Sequence, residues 1–86
     1  MDSKAQKAMV KAIKKEIRYL INNVKSDDYR DGIQPIYEEI VWIDKKIKEY
    51  KLEKMLLFNA ENNIYKILMK RRMYIHAAEF AKKYGL

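Results

Sequence analysis

Apolar residues recur along the chain at helical spacing. Met9, Ile13, Ile17, Leu20 and Val24 follow one another at steps of four, four, three and four, the period that keeps side chains on one face of an α-helix. They predict a first helix over residues 3–25. Ser3 and Gln6 stand at capping-box spacing at its start, with Asp2 beside the positive end of the helix. Ile36, Ile40, Ile43, Ile47 and Tyr50 repeat the pattern and predict a second helix over 35–58. Pro35 suits its first turn, Gln34 is pushed out of the helical region, and Glu38 and Glu39 sit near the positive end. A third helix is expected over 63–83, ending at Gly85.

Between these stretches the polar residues cluster. Ser26-Asp27-Asp28-Tyr29-Arg30-Asp31-Gly32 combines side chains that compete for the backbone with a closing glycine, and marks a turn. Asn59-Ala60-Glu61-Asn62-Asn63 is the candidate for the second turn, because asparagine tolerates the left-handed conformation and caps helices. The expected fold is all-α, a three-helix up-down-up bundle in a single domain spanning residues 1–86. The alternative is a helical hairpin, with one helix from Pro35 to Tyr84, dimerising into a four-helix bundle. Lys54, Glu61 and Arg71 would interrupt the apolar stripe of that long helix, which favours the broken form.

Composition agrees with long helices. Two glycines and one proline in 86 residues leave few turns, and 49% hydrophobic with 36% charged residues describe a globular chain. A domain of this size buries only about 60–65% of its unfolded surface, so a homodimer is compatible with the sequence. The heavy use of Asn, Lys, Ile and Tyr fits an AT-rich genome and lessens the functional weight of the lysine count.

Charge is unevenly placed. Residues 1–26 hold seven basic and two acidic side chains, residues 27–63 six and nine, residues 64–86 six and one. On the first helix, Lys4, Lys7, Lys11, Lys14, Lys15, Arg18 and Lys25 lie on the side opposite the apolar stripe. They form a ridge about 30 Å long at 1.5 Å per residue, suited to meeting a negative surface. Lys70, Arg71 and Arg72 add to the basic character of the last segment.

Several chemistries are excluded or fall short. Without cysteine there is no disulfide and no thiolate metal site. Ser3 and Ser26 are the two serines, both at expected helix ends, and His76 has no Ser, Cys or Asp at helical spacing to form a relay. No glycine-rich phosphate loop or His/Cys cluster occurs. The chain is therefore expected to be non-enzymatic, with no cofactor and no metal. Asp27, Asp31, Gly32 and Glu38 resemble positions 1, 5, 6 and 12 of an EF-hand calcium loop. Tyr29, Gln34 and Pro35 depart from that pattern, so the segment reads as a capped acidic turn. Residues 77–86 resemble the first helix of a helix-turn-helix ending at its turn glycine, with no recognition helix following. No run of residues reaches the length of a membrane span or the apolar core of a signal peptide, which points to a cytoplasmic protein.

Binding surfaces remain. The last helix carries Ile64, Leu68, Ile75 and Ala78 on one side. Tyr65, Met69, Met73 and Phe80 stand nearly opposite, with Tyr84 near the end. A helix apolar on two sides is central to its fold or bound to a second molecule, and methionine with aromatics suits a partner groove. Trp42 projects among Glu38, Glu39, Lys45 and Lys46 on the charged side of the second helix, and tryptophan is enriched at binding hot spots. The reading is a small regulatory or inhibitory protein, of the kind carried by phages and mobile elements. It would bind a larger protein through Trp42, Tyr65, Met69, Met73, Phe80 and Tyr84, with the basic ridge guiding association. The alternative is a nucleic-acid-associated protein that holds the phosphate backbone through its lysines. Lysine outnumbers arginine almost four to one, which suits attraction to phosphates better than base reading.

Overall fold

The computed structural model describes residues 3–86, Ser3 by its backbone alone. The capping interactions expected of Asp2 and the Ser3 side chain lie outside the described residues. The described chain is all-α: α1 (Ser3–Ser26), α2 (Gln34–Glu49), α3 (Met55–Lys70) and α4 (Tyr74–Tyr84). The helices alternate in direction. The Gln6 side-chain amide near the start of α1 donates to the Tyr50 carbonyl at the end of α2, 3.0 Å. Arg71 after α3 donates to carbonyls at the end of α1. The bundle measures 43 × 23 × 19 Å, with α3 packed against both α1 and α4.

The three-helix count is thus corrected to four, and the uninterrupted Pro35–Tyr84 helix of the alternative is broken twice. The expected second turn at residues 59–63 is helical, in the middle of α3. Leu57, Ala60, Ile64 and Leu68 form a buried row through it, and asparagine costs a helix interior only about 0.7 kcal/mol relative to alanine. Burying the row outweighs that cost. Asn62 also turns its amide back onto the Phe58 carbonyl, 2.9 Å.

The actual breaks fall where the apolar stripe meets Lys51 and Lys54, and again at Arg71 and Arg72. Each is a Schellman closure. At the first, Lys51 takes a left-handed φ of 55°, and the Leu52 amide reaches back to the Ile47 carbonyl, 2.9 Å. At the second, Arg72 takes φ 61°, and the Met73 amide bonds the Leu68 carbonyl, 2.9 Å. In both, an apolar residue follows the left-handed one, and both Leu52 and Met73 pack on the core. Gly85 closes α4 in the same conformation at φ 67°.

The α1–α2 connection is the polar loop read from the sequence. Asp27 and Asp28 turn their carboxylates onto the amides of Tyr29 and Arg30, each at 3.2 Å. Arg30 pairs with Asp28 at 2.9 Å. Tyr29 itself is left-handed, φ 49°, and buried, and Ile33 behind it is also core. The core runs from Ile13, Leu20 and Val24 through Ile36, Ile40, Ile43 and Ile47 to Ile64, Leu68, Ala77 and Phe80. No polar or charged residue is buried among the described residues.

Candidate interaction surfaces

The α1 ridge exists as solvent-facing geometry. Lys4, Lys7, Lys11, Lys14, Lys15, Arg18 and Lys25 are all exposed. The ion pairs among the described residues are Arg30–Asp28, Lys46–Glu49 and Lys48–Asp44, so Lys7, Lys11, Lys14, Lys15, Arg18 and Lys25 carry uncompensated charge. Lys70 and Arg72 are exposed at the far end of α3. Arg71 is not part of this surface. Its Nη1 donates to the Val24 carbonyl at 2.7 Å and to the Asp27 carbonyl, satisfying the negative end of α1.

The expected Met/Tyr face does not survive as one surface, because the break at residues 71–73 resets the helical register. Phe80 is fully buried, and Tyr65, Met73 and Tyr84 pack on the core. Phe80 and Tyr84 form a cluster with Tyr37, at ring centroid distances of 6.3 Å (Tyr37–Phe80), 5.9 Å (Tyr37–Tyr84) and 4.8 Å (Phe80–Tyr84). The Tyr37 hydroxyl donates to Glu79 at 3.2 Å, and Lys83 lies over its ring, 4.8 Å from the centroid. Burial, then the Glu79 charge and hydrogen bond, push the Tyr37 pKa up to about 12. Ile75, expected on one side with Ile64 and Leu68, is 83% exposed while those two are buried.

What remains outside on α3 is a row the sequence reading saw only in part. Met55, Phe58, Asn62 and Met69 follow at steps of three, four and seven, with the half-buried Tyr65 between the last two packed on the core. Met55 is 54% exposed, Phe58 49% and Met69 39%. Recognising it from sequence required knowing that α3 begins at Met55, which brings Met55 and Phe58 onto the same helix as Met69.

Trp42, 38% exposed, lines a cleft of about 600 Å³ between α1 and α2. Tyr19 and Pro35 share its walls, and so do four carboxylates, Glu16, Asp27, Glu38 and Glu39, with no basic residue among the lining side chains. Burial and then the neighbouring Glu16 carboxylate raise the Glu39 pKa above its ordinary value. Tyr29, 5% exposed, lines the same cleft. Burial foremost, with Asp27 adding and Arg71 opposing, pushes this phenol up to about 12. Lys46 stands 6.0 Å from the Trp42 ring centroid but pairs with Glu49.

No family model, curated protein or solved structure matches the chain.

Among the described residues no three His, Cys, Asp or Glu side chains are grouped so as to hold a metal ion. Asp27 and Glu38 line the α1–α2 cleft, and Asp27 spends one carboxylate oxygen on its own turn. His76 has Nδ1 buried without a partner, beside the exposed Tyr74 and Ile75. No helix among the described residues is long and apolar enough to cross a membrane.

Proposed function

We propose that the protein acts by binding, as a small non-enzymatic regulatory or inhibitory protein that docks on a larger protein through the outer row of α3. The observation that carries this reading is the alignment of Met55, Phe58 and Met69, all substantially exposed, on one face of a single helix. Methionine and aromatic side chains at three-four spacing suit a helix-sized apolar groove. Lone exposed apolar residues are ordinary, but three on one face of one helix give a partner several anchors. A photo-crosslinking residue placed at Phe58 or Met69 in the native host should capture a discrete protein adduct, while one at exposed Lys45 should not. Adducts at all three positions, or at none, would refute the docking row.

The uncompensated cations of α1 favour a second reading, attachment to nucleic acid through phosphates. It predicts strongly salt-dependent DNA or RNA binding, with a shallower salt slope after charge reversal at Lys11, Lys14 and Arg18. Absence of binding at low salt would exclude it.

A further inference from the structure

The α1–α2 cleft and the α1 ridge have opposite charge and similar length, and they belong to the same molecule. Along the cleft, Glu16 to Asn23 on α1 and Pro35 to Trp42 on α2 each span seven residue steps, about 10 Å at 1.5 Å per residue. Lys11, Lys14, Lys15 and Arg18 occupy the same length of the ridge and are all exposed. Four cations without ion-pair partners thus match four carboxylates that line a cleft holding no cation. The cleft also offers what a desolvated cation needs besides charge. The Trp42 and Tyr19 rings line it, and aromatic rings can hold a cation; the Tyr29 phenol lines it too, and a hydroxyl can accept a donated hydrogen bond.

We propose that the occupant of this cleft is a second copy of the chain, whose α1 ridge lies against Glu38, Glu39 and Trp42 while its own cleft receives the first copy's ridge. In a pair whose two α1 helices pack in parallel, the ridge and the α1 wall of the cleft flank the contact line, so a two-fold axis along the bundle sets each ridge against the other copy's cleft, as an isologous pair requires. The pairing covers Trp42 and leaves the α3 row free. It neither needs nor excludes the larger partner, because sedimentation of the purified protein reports on the pair alone and crosslinking at Phe58 reports on the partner.

The test is sedimentation equilibrium with two complementary variants. One reverses the cleft (Glu38→Lys with Glu39→Lys), the other the ridge (Lys11→Glu, Lys15→Glu and Arg18→Glu). The salt should be about 0.15 M, where a screening length of about 8 Å damps the net repulsion of two +7 chains but spares direct contacts. The wild type should dimerise, and each variant alone should associate at least about tenfold more weakly, since like charges then face each other at both contacts. An equimolar mixture of the two should recover the dimer, because both contacts become attractive again. A variant that fails to fold would also fail to rescue, so a wild-type measurement stands beside them. Trp42 is the only tryptophan, and its emission should shift to the blue with protein concentration as the dimer forms. A wild type that is monomeric with concentration-independent emission overturns the proposal. So does a dimer indifferent to both reversals.

Discussion

Removing the Arg71 guanidinium should be among the most damaging single changes outside the core. Arg71 lies just beyond α3, and its Nη1 donates to two backbone carbonyls, Val24 at 2.7 Å and Asp27. The Val24 carbonyl belongs to the last turn of α1, which has no acceptor role left inside its own helix. A hydrogen bond involving a charged group contributes about 1.5–3 kcal/mol. The site is only half-buried, so the lower value applies to each bond, about 3 kcal/mol for the two. Releasing the long side chain returns about 1–2 kcal/mol of conformational entropy. The net loss for Arg71→Ala is therefore about 1–2 kcal/mol. A domain of 86 residues has a total stability of about 4–13 kcal/mol, so the loss is a substantial share, equivalent to about 4–16 °C in Tm. Urea titration followed by circular dichroism should show a lower midpoint with an unchanged slope. Arg71→Lys should fall between, because an ammonium keeps the charge without the planar fork. The exposed neighbour Arg72→Ala should stay within about 0.5 kcal/mol of wild type. If Arg71→Ala also falls within that margin, the capping account of Arg71 is wrong.

Two further substitutions probe backbone and charge. Lys51→Gly should raise stability by about 0.5 kcal/mol in the same titration. It relieves about 1 kcal/mol of left-handed strain at φ 55° and gives back part of that through the freer unfolded chain; a loss of stability would contradict it. Glu61→Gln should stabilise the protein at neutral pH. Burial first, and then the Asp44 charge, hold the Glu61 carboxyl above its ordinary 4.5 in the folded state, so its ionisation opposes folding wherever the pH exceeds the folded value. Wild-type stability from this group accordingly rises as pH falls through the folded pKa and levels off below 4.5. The advantage of the variant in thermal melts should shrink over the same interval, and an advantage independent of pH would point away from the carboxylate.

The positions of α1 and the start of α2 could be read directly from apolar spacing, because each carries an unbroken stripe and a polar loop stands between them. The second half of the chain could not. Its helix ends use Lys51 and Arg72 where glycine is usual, and left-handed cations look like any other surface lysine or arginine in a sequence. The available signal was the interruption of the stripe at Lys54 and Arg71, followed or preceded by a lone apolar residue that folds back. The asparagines drew the turn to the wrong place, since local preference at residues 59–63 is weaker than burial of Ala60 and Ile64. Surface assignments followed the same logic. The α1 ridge depends on one helix and was visible. The cleft around Trp42 needs Glu16 and Tyr19 from α1 against α2, and no spacing along the chain reveals that meeting. The fate of Phe80 turned on a helix break, which moved it from a presumed binding face to the centre of the core.

With no polar residue buried in the described core, no polar contact inside it fixes the offset between helices. Alignment is instead pinned at the periphery. Gln6 fastens the start of α1 to the end of α2, and Arg71 fastens the end of α3 to the end of α1. These bonds sit at opposite ends of α1 and work like two dowels in a joint whose mating faces are smooth. The interior can therefore exchange one aliphatic side chain for another at constant volume with little effect on architecture. Residues 6 and 71, which contribute almost nothing to hydrophobic burial, are where the geometry of the whole assembly is least replaceable.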